Sequence, residues 1–464
     1  MLTINKAIVA ALMIASSSCS FLDSTQVPRS VVVIVIDTLR ADHMGIYGYP
    51  RPTSPNIDRF ATEGIVFENF YSSSTWTLPS FGSLFTGELP SRHGSGIIRT
   101  IDQENGKHSF VEHADRRFSQ LDEKLPTLAT SLGLNGFATF AVVNNAFLNP
   151  EFGLSRGFAV YDFDKNTPER SAKKVVDIVL EWLSEPSAAT RPIFMFVHFM
   201  DVHMPYVSDS SVSGMFTDGY KETLGSNRKR LQAVRGRIAR GDEVLRGLYT
   251  ASYDEGIAYV DQQVGRLFES MEKIGLWDDT LIIVTADHGE ALFEHGRWEH
   301  GASVLEEVVR VPLIVRGPGI KPGRSEIPAS LVDLVPTILE AVEIDSSSDF
   351  FGNSLWTSMT MGRVLEERDI IVEGTLYGAE QRAIIRWPYK AIHQVAGDKK
   401  LLFDLEADPY ERVDLSTSYP AQRDQMMESL RDALVVAVGE RSASSGVELD
   451  PALMKNLRAL GYIR

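Results

Sequence analysis

Runs of β-branched and other apolar residues, separated by helical patterns, constrain the fold of this chain most strongly. The clearest run, Val31–Ile36, contains no polar residue and ends at Asp37. A continuous run of this kind is typical of a strand that is buried on both faces of a parallel sheet. Similar runs follow at Phe137–Val143, Ile193–His198, Leu281–Thr285 and Pro312–Val315. Helical patterns at Ser171–Leu183 and Tyr253–Ile274 lie between them, which predicts an α/β sheet with helices on both faces.

The pattern changes after about residue 366, where the runs become shorter. Short strands are predicted at Ala383–Ile385, Tyr389–His393 and Lys400–Leu405, and a helix is predicted around Ala421–Val438. We therefore predict a main domain over residues 30–365 and a smaller α+β subdomain over residues 366–464 that packs on the main sheet.

The start of the chain has the pattern of a secretory leader. Lys6 gives a weak positive region, and Ala7–Ala15 is a short apolar stretch, too short to span a membrane as a mature helix. Small residues then lead to Cys19, although Ser16 stands where a bacterial lipoprotein signal usually has Leu. We expect residues 1–19 to be a signal peptide, with Cys19 lipidated as a membrane anchor in the bacterial cell envelope, periplasmic or outer-membrane-associated. An ordinary signal peptide and a cytoplasmic start are the alternatives.

Composition excludes several classes of protein. Asp and Glu number 62 against 46 Lys and Arg, a formal net charge of −16, whereas a nucleic-acid-binding protein needs a positive surface. No run of about 20 apolar residues is present, so no transmembrane helix is predicted. Because Cys19 is the single cysteine, disulfides, Cys-based zinc sites and a cysteine nucleophile are excluded from the mature chain.

Polar residues that could carry chemistry follow the predicted strands, and the ends of parallel strands are where ligands bind in such sheets. Asp37 follows the first strand, and a hydroxyl-rich segment places Thr77 just before Pro79 at the start of a predicted helix. The other candidates follow later strands: His203, Asp287, His288, His295 and His300. Asp and His ligands without Cys suit Mg, Mn, Ca or Zn, and they do not choose among these metals.

Each of these positions also has an ordinary structural interpretation. Asp37 and Thr77 could cap the helices that follow them, because side-chain oxygens at a helix N-terminus accept backbone N–H groups. His203 could be a buried histidine without any ligand. The loop that carries Asp287, His288, His295 and His300 is harder to explain in this way, because so many metal-ligand residue types rarely gather in one loop by chance.

Several short phrases connect these clusters. They are Asp37-Thr-Leu-Arg-Ala-Asp42, Tyr47-Gly48, Thr53-Ser-Pro-Asn-Ile-Asp58, Pro79-Ser80, Leu84-Phe-Thr-Gly87, Asp261-Gln-Gln-Val-Gly-Arg266, Asp287-His-Gly289, Arg310-Val-Pro312 and Leu331-Val-Asp-Leu-Val-Pro336. In their order and spacing, from Val31 to Ile344, they resemble the sulfatase family of the alkaline phosphatase superfamily. The resemblance implies a large, mostly parallel central sheet between helices and a small C-terminal α+β subdomain, to which the phrase Leu401-Leu-Phe-Asp-Leu-Glu-Ala-Asp-Pro409 belongs.

The chain departs from the family pattern at its reactive positions. Type I sulfatases carry a Cys or Ser that is converted to formylglycine, and the aligned residue here is Thr77, so no formylglycine is expected. Phe81 replaces the arginine of the same motif. The family's Lys-x-His pair falls on Asn144 and Ala146, its later lysine falls on His300, and the second of its paired aspartates is Thr38.

The candidate residues that the chain does have resemble those of superfamily relatives with a Thr nucleophile. The resemblance implies that Asp37, Thr77, Asp287 and His288 bind one divalent metal, which would hold Thr77 as an alkoxide. It also implies that Asn144, His203 and His300 contact the non-bridging oxygens of the transferring group. A second metal, bound with help from Asp201 or His295, stays open.

The expected activity is metal-dependent hydrolysis of an anionic ester: a sulfate, phosphate or phosphonate ester of a glycan, a lipid or a small molecule. Unlike a formylglycine hydrate, Thr77 has a single hydroxyl, so its ester must be cleared by a second attack on sulfur or phosphorus. This favours phosphate or phosphonate esters over sulfate esters. Two alternatives are a transferase that moves a phosphoethanolamine- or glycerol-phosphate-type group to a glycan or lipid, and a catalytically silent anion-binding protein.

Overall fold

The structure is a computed structural model that describes residues 27–97, 117–167, 170–185, 191–206, 209–225, 228–346, 348–363, 366–439, 445–447, 449–459 and 462. The predicted leader, residues 1–19 with Cys19, lies outside these ranges.

The strands are β1 (Ser30–Ile36), β2 (Ile65–Phe67), β3 (Phe70–Tyr71), β4 (Gly96–Ile97), β5 (Phe118–Ser119), β6 (Ala138–Val143), β7 (Val160–Phe163), β8 (Ile193–Phe199), β9 (Thr280–Thr285), β10 (Ala291–Leu292), β11 (Trp298–Glu299), β12 (Leu313–Arg316), β13 (Gly323–Ser325), β14 (Ala329–Ser330), β15 (Ile370–Glu373), β16 (Gln381–Arg386), β17 (Tyr389–Gln394) and β18 (Lys399–Asp404). The helices are α1 (Pro55–Ala61), α2 (Thr77–Thr86), α3 (Pro90–His93), α4 (Leu128–Leu134), α5 (Ala172–Ser184), α6 (Arg228–Ile238), α7 (Glu243–Lys273), α8 (Glu306–Val309), α9 (Leu334–Ala341), α10 (Trp356–Met361), α11 (Pro420–Gly439) and α12 (Pro451–Ala459).

A twisted sheet of eight strands forms the centre of the molecule, in the order β13-β2-β12-β9-β1-β8-β6-β7. Strand β1 lies between β8 and β9 and is parallel to both. Strand β12 is antiparallel to β9 and β2, so the sheet is mostly parallel with one reversed strand. The five apolar runs of the sequence all form strands of this sheet, and the predicted α/β architecture is confirmed.

Helices cover both faces of the sheet in two packed groups. One group is built around α7, which contacts α1, α5 and α6, and the other contains α2, α4 and α9. Every residue of β1 is buried, as its uninterrupted apolar sequence predicts. Burying an aliphatic side chain stabilises the fold by about 1.5–3 kcal/mol, so this central strand anchors the core.

The smaller C-terminal sheet is antiparallel and has the order β15-β16-β17-β18. Helix α11 packs on it through Met426, Leu430 and Leu434, which recur every four residues along one helix face. Helix α12 behaves differently, because Leu453 and Leu457 are buried in the main core together with Tyr462. The described residues 445–447, 449–459 and 462 therefore lie against the main domain.

None of the helices in the described ranges combines the length and the apolar character that crossing a bilayer requires.

Candidate functional site

The carboxyl ends of the central strands bring the candidate residues together. Strands β1, β6, β8 and β9 run in the same direction, so the residues that follow them lie at one edge of the sheet. Asp37 follows β1, Asn145 follows β6 and Asp287 follows β9. This is the edge at which ligands bind in parallel α/β sheets.

Two carboxylates and one imidazole form a buried cluster at this edge. Ligand atoms of Asp37, Asp287 and His288 lie within 4.8 Å of one another, and all three side chains are fully buried. Nδ1 of His288 lies 3.0 Å from the Gly289 carbonyl oxygen, so the N–H on Nδ1 donates there and the lone pair on Nε2 faces the carboxylates. Nε2 of His288 is 3.2 Å from Oδ2 of Asp287 and 3.8 Å from Oδ1 of Asp37.

The donor set of this cluster fits a divalent cation. Oδ1 of Asp37 and Oδ2 of Asp287 are buried and accept no hydrogen bond within the described residues. Buried charged oxygens need compensation by partners or by a metal. Two carboxylates and a neutral imidazole are also the ligand types of catalytic divalent-metal sites. Asp37, Asp287 and His288 could therefore hold the cation that the sequence predicts.

The pKa shifts in the cluster also favour a bound cation. Burial opposes ionisation of Asp37, but a hydrogen bond from His198 and the nearby His203 and His288 hold the pKa of Asp37 well below its usual range. Burial, together with the charge on Asp37, raises the pKa of Asp287 well above its usual range. Burial and the charge of His300 lower the pKa of His288 to about 3, so this imidazole is neutral and able to bind a metal.

Thr77 is the first residue of α2 and lies against the cluster. Its Oγ1 is 3.4 Å from Nε2 of His288, and the Thr77 side chain is fully buried. The N–H groups at the start of α2 place partial positive charge near this hydroxyl, which favours its anionic form. The sequence predicted this helix start, and the family resemblance implied that Thr77 lies near Asp37, Asp287 and His288.

The amide beside Thr77 belongs to Asn145 and not to Asn144, the residue that the sequence predicted. Asn145 Nδ2 donates to Oδ2 of Asp37 at 3.0 Å and to Oγ1 of Thr77 at 3.2 Å. Asn144 instead donates to the His198 carbonyl oxygen and accepts from Arg170, away from the hydroxyl. The difference arises because β6 ends at Val143 and the backbone turns at Asn145, whose φ is +81°.

His198, at the end of β8, lies behind Asp37 and was not predicted as a site residue. Its Nε2 lies 3.4 Å from Oδ2 of Asp37. The ring packs edge to face against Phe81, with ring centroids 5.1 Å apart. Phe81, which stands at the motif arginine's position, is therefore part of the apolar core behind the cluster. A lone histidine in the run Ile193–Phe199 is the signal that could have identified this residue.

His203 and His300 lie beside the cluster, next to His288. The rings of His300 and His288 have centroids 4.4 Å apart, and those of His300 and His203 are 5.0 Å apart. Although burial opposes it, the carboxylate of Glu290 raises the pKa of His300 above its usual range. A proton held on His300 would face the anion of a substrate.

Tyr462 contacts the same two histidines and was missed in the sequence. Its hydroxyl lies 3.0 Å from Nε2 of His203 and 3.5 Å from Nε2 of His300. Burial raises the pKa of this phenol, so it keeps its proton. No local pattern in the sequence connects a tyrosine at position 462 with the strand ends.

The two residues suggested for a second metal are not part of the buried cluster. His295 pairs with Glu307, with Nδ1 and Oε1 3.1 Å apart. Both residues line a separate cavity of about 760 Å³, together with Arg40, Arg310 and Tyr410. Asp201 likewise lies outside the group of ligand atoms formed by Asp37, Asp287 and His288 in the described ranges.

The site places a hydroxyl at a helix N-terminus, beside two carboxylates and a neutral imidazole, at the edge of a mostly parallel sheet. Ester hydrolases of the alkaline phosphatase superfamily have this arrangement. The model of the family described as "Sulfatase" matches residues 29–344. The chain therefore belongs to the sulfatase family, and it is an ester hydrolase.

Individual relatives agree with this assignment. The chain is 26% identical over 417 residues to a choline-sulfatase of Rhizobium meliloti (strain 1021), covering 80% of this chain and 79% of the relative. It is 25% identical over 479 residues to a multifunctional alkaline phosphatase superfamily protein of Trinickia caryophylli, covering 84% of this chain and 91% of the relative.

Solved structures share the fold. The phosphonate monoester hydrolase of Agrobacterium radiobacter superposes with a TM-score of 0.68 at 21% identity, covering 88% of this chain and 96% of the other. A protein solved in complex with its substrate D-glucosamine-2-N,6-O-disulfate superposes with a TM-score of 0.71 at 19% identity, covering 89% and 98%. These similarities support the same architecture, with the small antiparallel sheet attached to the large one.

Proposed function

We propose that the protein hydrolyses singly charged phosphonate, phosphate or sulfate esters, with Thr77 as the nucleophile and one divalent cation bound by Asp37, Thr77, Asp287 and His288. The observation that carries the proposal is the position of the Thr77 hydroxyl. It lies at the N-terminus of α2, accepts a hydrogen bond from Asn145, and is 3.4 Å from the imidazole of His288. A nucleophilic hydroxyl needs such surroundings to act as an anion.

The reaction takes place in two displacements. Thr77 Oγ1 releases its proton to solvent and attacks phosphorus or sulfur, the bond to the leaving oxygen breaks, and a covalent Thr77 ester forms. A protonated His300 donates a proton to the leaving oxygen. Water then gives a proton to the now neutral His300 and attacks the same atom, the bond to Thr77 Oγ1 breaks, and the oxyanion product leaves. When bound, a divalent cation lowers the pKa of a hydroxyl and stabilises charge on the transferring group.

The charge of the site favours a singly charged ester. In the described ranges, the side chains that hydrogen-bond to Thr77 are the amide of Asn145 and the imidazole of His288, and the carboxylates of Asp37 and Asp287 lie beside them. The motif arginine is replaced by Phe81, which packs in the core. A phosphate monoester with two charges would therefore find less compensation here than a sulfate monoester or a phosphonate monoester, each of which carries one charge.

Phosphorus esters are favoured over sulfate esters within this class. The Thr77 ester has no second hydroxyl on the same carbon, so breakdown requires a second attack on the central atom. Double displacement through a threonine ester is better supported for phosphorus than for sulfur. A phosphonate monoester hydrolase and a choline-sulfatase are both among the relatives, which supports the general class of ester without separating the two.

Turnover of matched p-nitrophenyl esters tests the proposal. Protein lacking residues 1–19 would be stripped with chelator, reloaded with Mn, Zn, Mg or Ca, and assayed with p-nitrophenyl phenylphosphonate, p-nitrophenyl sulfate and p-nitrophenyl phosphate. We expect the phosphonate to react fastest, and Thr77→Ala to lower kcat/KM by at least about 1,000-fold. Thr75→Ala is the matched control, because this buried hydroxyl donates to the Gly374 carbonyl oxygen instead.

Four outcomes would change the proposal. Full activity of Thr77→Ala would exclude Thr77 as the nucleophile. Faster turnover of the sulfate ester would show that a threonine supports sulfatase chemistry without formylglycine. A higher yield of phospho-ester product on addition of an acceptor alcohol would identify the protein as a transferase. Absence of turnover together with tight binding of phosphate would favour a silent anion-binding protein.

We further propose that the protein acts in the bacterial cell envelope, tethered through a lipid on Cys19. The apolar stretch Ala7–Ala15 and the small residues before Cys19 support this proposal. Metabolic labelling with an alkyne fatty acid should mark the wild type and leave Cys19→Ser unlabelled. Equal labelling of the two proteins would contradict the anchor.

A further inference from the structure

The described residues that follow α11, at 445–447, 449–459 and 462, lie on the main domain and end at the site. Val447 N–H donates to the Phe118 carbonyl oxygen at 2.8 Å, and Leu453 and Leu457 of α12 are buried in the main core. After α12, the backbone N–H of Tyr462 donates to the Leu457 carbonyl oxygen at 2.9 Å. These contacts fix the segment on the main domain and bring one buried aromatic side chain to the catalytic edge.

The hydroxyl of Tyr462 lies between two histidines that come from different parts of the chain. It is 3.0 Å from Nε2 of His203 and 3.5 Å from Nε2 of His300. The Tyr462 ring packs against Phe147, with centroids 4.6 Å apart, and only 2% of the residue is exposed. Its position is therefore set by packing, independently of the two hydrogen bonds.

In both imidazoles, Nδ1 already has a hydrogen-bond partner. Nδ1 of His203 lies 2.6 Å from the Met204 carbonyl oxygen, and Nδ1 of His300 lies 3.3 Å from Oε1 of Glu290. Both Nδ1 atoms therefore carry N–H groups that donate. The Nε2 atom of each ring therefore faces the phenol hydroxyl, which can donate one hydrogen bond and accept another.

We propose that Tyr462 is a positioning residue of this hydrolase, and that its hydroxyl fixes the orientation of His203 and His300 toward the transferring group. The inference rests on the proposed function, because it assigns those two imidazoles to the substrate anion. Each ring is held at Nδ1 by a carbonyl or carboxylate and at Nε2 by the same phenol oxygen. A ring fixed at both nitrogens loses little orientational freedom when the transition state forms, which is where positioning groups contribute to rate.

Steady-state kinetics of Tyr462→Phe, with the ester that the wild type turns over fastest, tests this role. The variant keeps the ring that packs on Phe147 and removes only the hydroxyl. We expect kcat to fall by about tenfold while KM stays within about twofold, because a positioning group acts mainly in the transition state. Tyr419→Phe is the control, since Tyr419 is 50% exposed and should keep wild-type kinetics.

Several kinetic results would overturn the inference. Wild-type kinetics in Tyr462→Phe would show that the hydroxyl has no role. A change in KM alone would make it a binding group instead of a positioning group. A gain in activity, in this variant or after deletion of residues 460–464, would show that Tyr462 obstructs the site.

A second measurement does not depend on turnover. In ¹⁵N-histidine NMR of the wild type, assigned with His203→Gln, Nε2 of His203 should have the chemical shift of a hydrogen-bonded nitrogen. A His203 Nε2 shift without the signature of a hydrogen bond would exclude the contact with the phenol, even if Tyr462→Phe failed to fold. If the wild type turns over none of the esters, the proposed function fails while this spectrum still tests the contact.

Discussion

Replacement of Asn145 by glycine separates the role of its amide from the stability of the fold. The Asn145 backbone has φ +81° and ψ 132°, a conformation that glycine adopts without strain and other residues adopt at a cost of about 1–3 kcal/mol. A strained residue that also contacts a nucleophile is a common feature of active sites. Asn145→Gly removes the side chain and relieves the strain at the same time.

The expected size of the effect follows from the contacts that disappear. The amide donates to Asp37 at 3.0 Å and to Thr77 at 3.2 Å, and a hydrogen bond to a charged group contributes about 1.5–3 kcal/mol. With tenfold in rate for each 1.36 kcal/mol, kcat/KM should fall by about 10- to 150-fold. Asn145 Oδ1 also accepts from the Phe147 N–H, a loss of about 1 kcal/mol that the relief of strain offsets.

The assay combines ester turnover with urea unfolding of the same preparations. Asn144→Ala is the matched control, because this neighbouring side chain bonds to the His198 carbonyl oxygen and Arg170 instead. It should destabilise the fold by about 1–3 kcal/mol and lower kcat/KM by less than about threefold. The reasoning fails if Asn145→Gly keeps activity within twofold of wild type, or if Asn144→Ala loses as much activity as Asn145→Gly.

Three further predictions concern the metal, the packing and the pH dependence. Asp287→Asn should lower the affinity for a divalent metal by more than about 100-fold, because loss of a residue that only hydrogen-bonds to a metal ligand already lowers affinity by about 10- to 100-fold. Unchanged metal content after equilibrium dialysis would contradict the assignment of Asp287 as a metal ligand. Gly157→Ala should lower the free energy of unfolding in urea by about 3 kcal/mol more than Gly214→Ala does. Both glycines have positive φ, but only at Gly157 would a Cβ clash with the backbone, at 2.1 Å from Thr130 N. Equal losses in the two variants would contradict this prediction. Burial raises the pKa of Asp261 to about 6. The contribution of Asp261 to the free energy of unfolding is therefore complete below about pH 4 and decreases by about 3 kcal/mol as the pH rises through 6. This loss should be missing from Asp261→Asn, and parallel stability curves for the two proteins between pH 4 and 7 would refute it.

The central sheet could be predicted because its signal is local. A strand such as β1, buried on both faces, requires an unbroken apolar run, and the residue after that run must lie at the carboxyl edge. The same rule placed Asp37, Asp287 and His288 together, since parallel neighbouring strands end side by side. The reversed direction of β12 could not be predicted in this way, because an apolar run has no information about strand polarity.

The parts of the site that were missed depend on geometry that spacing does not encode. The choice between Asn144 and Asn145 depends on a single positive φ after β6, and either residue fits the sequence pattern equally well. His198 is separated from His203 by a short turn, and only the structure shows that they face different sides of the cluster. Tyr462 reaches the site through tertiary packing of α12, to which no periodicity of the local sequence points.

The docking of α12 and Tyr462 on the main domain has a consequence for the order in which the site forms. The first and last residues of the site are Asp37 and Tyr462, and β1 lies in the middle of the central sheet. The chain is synthesised from its N-terminus, so the central sheet can assemble before Tyr462 contacts His203 and His300. The contacts of Tyr462 with His203 and His300 therefore form last, when α12 docks on a sheet that is already assembled.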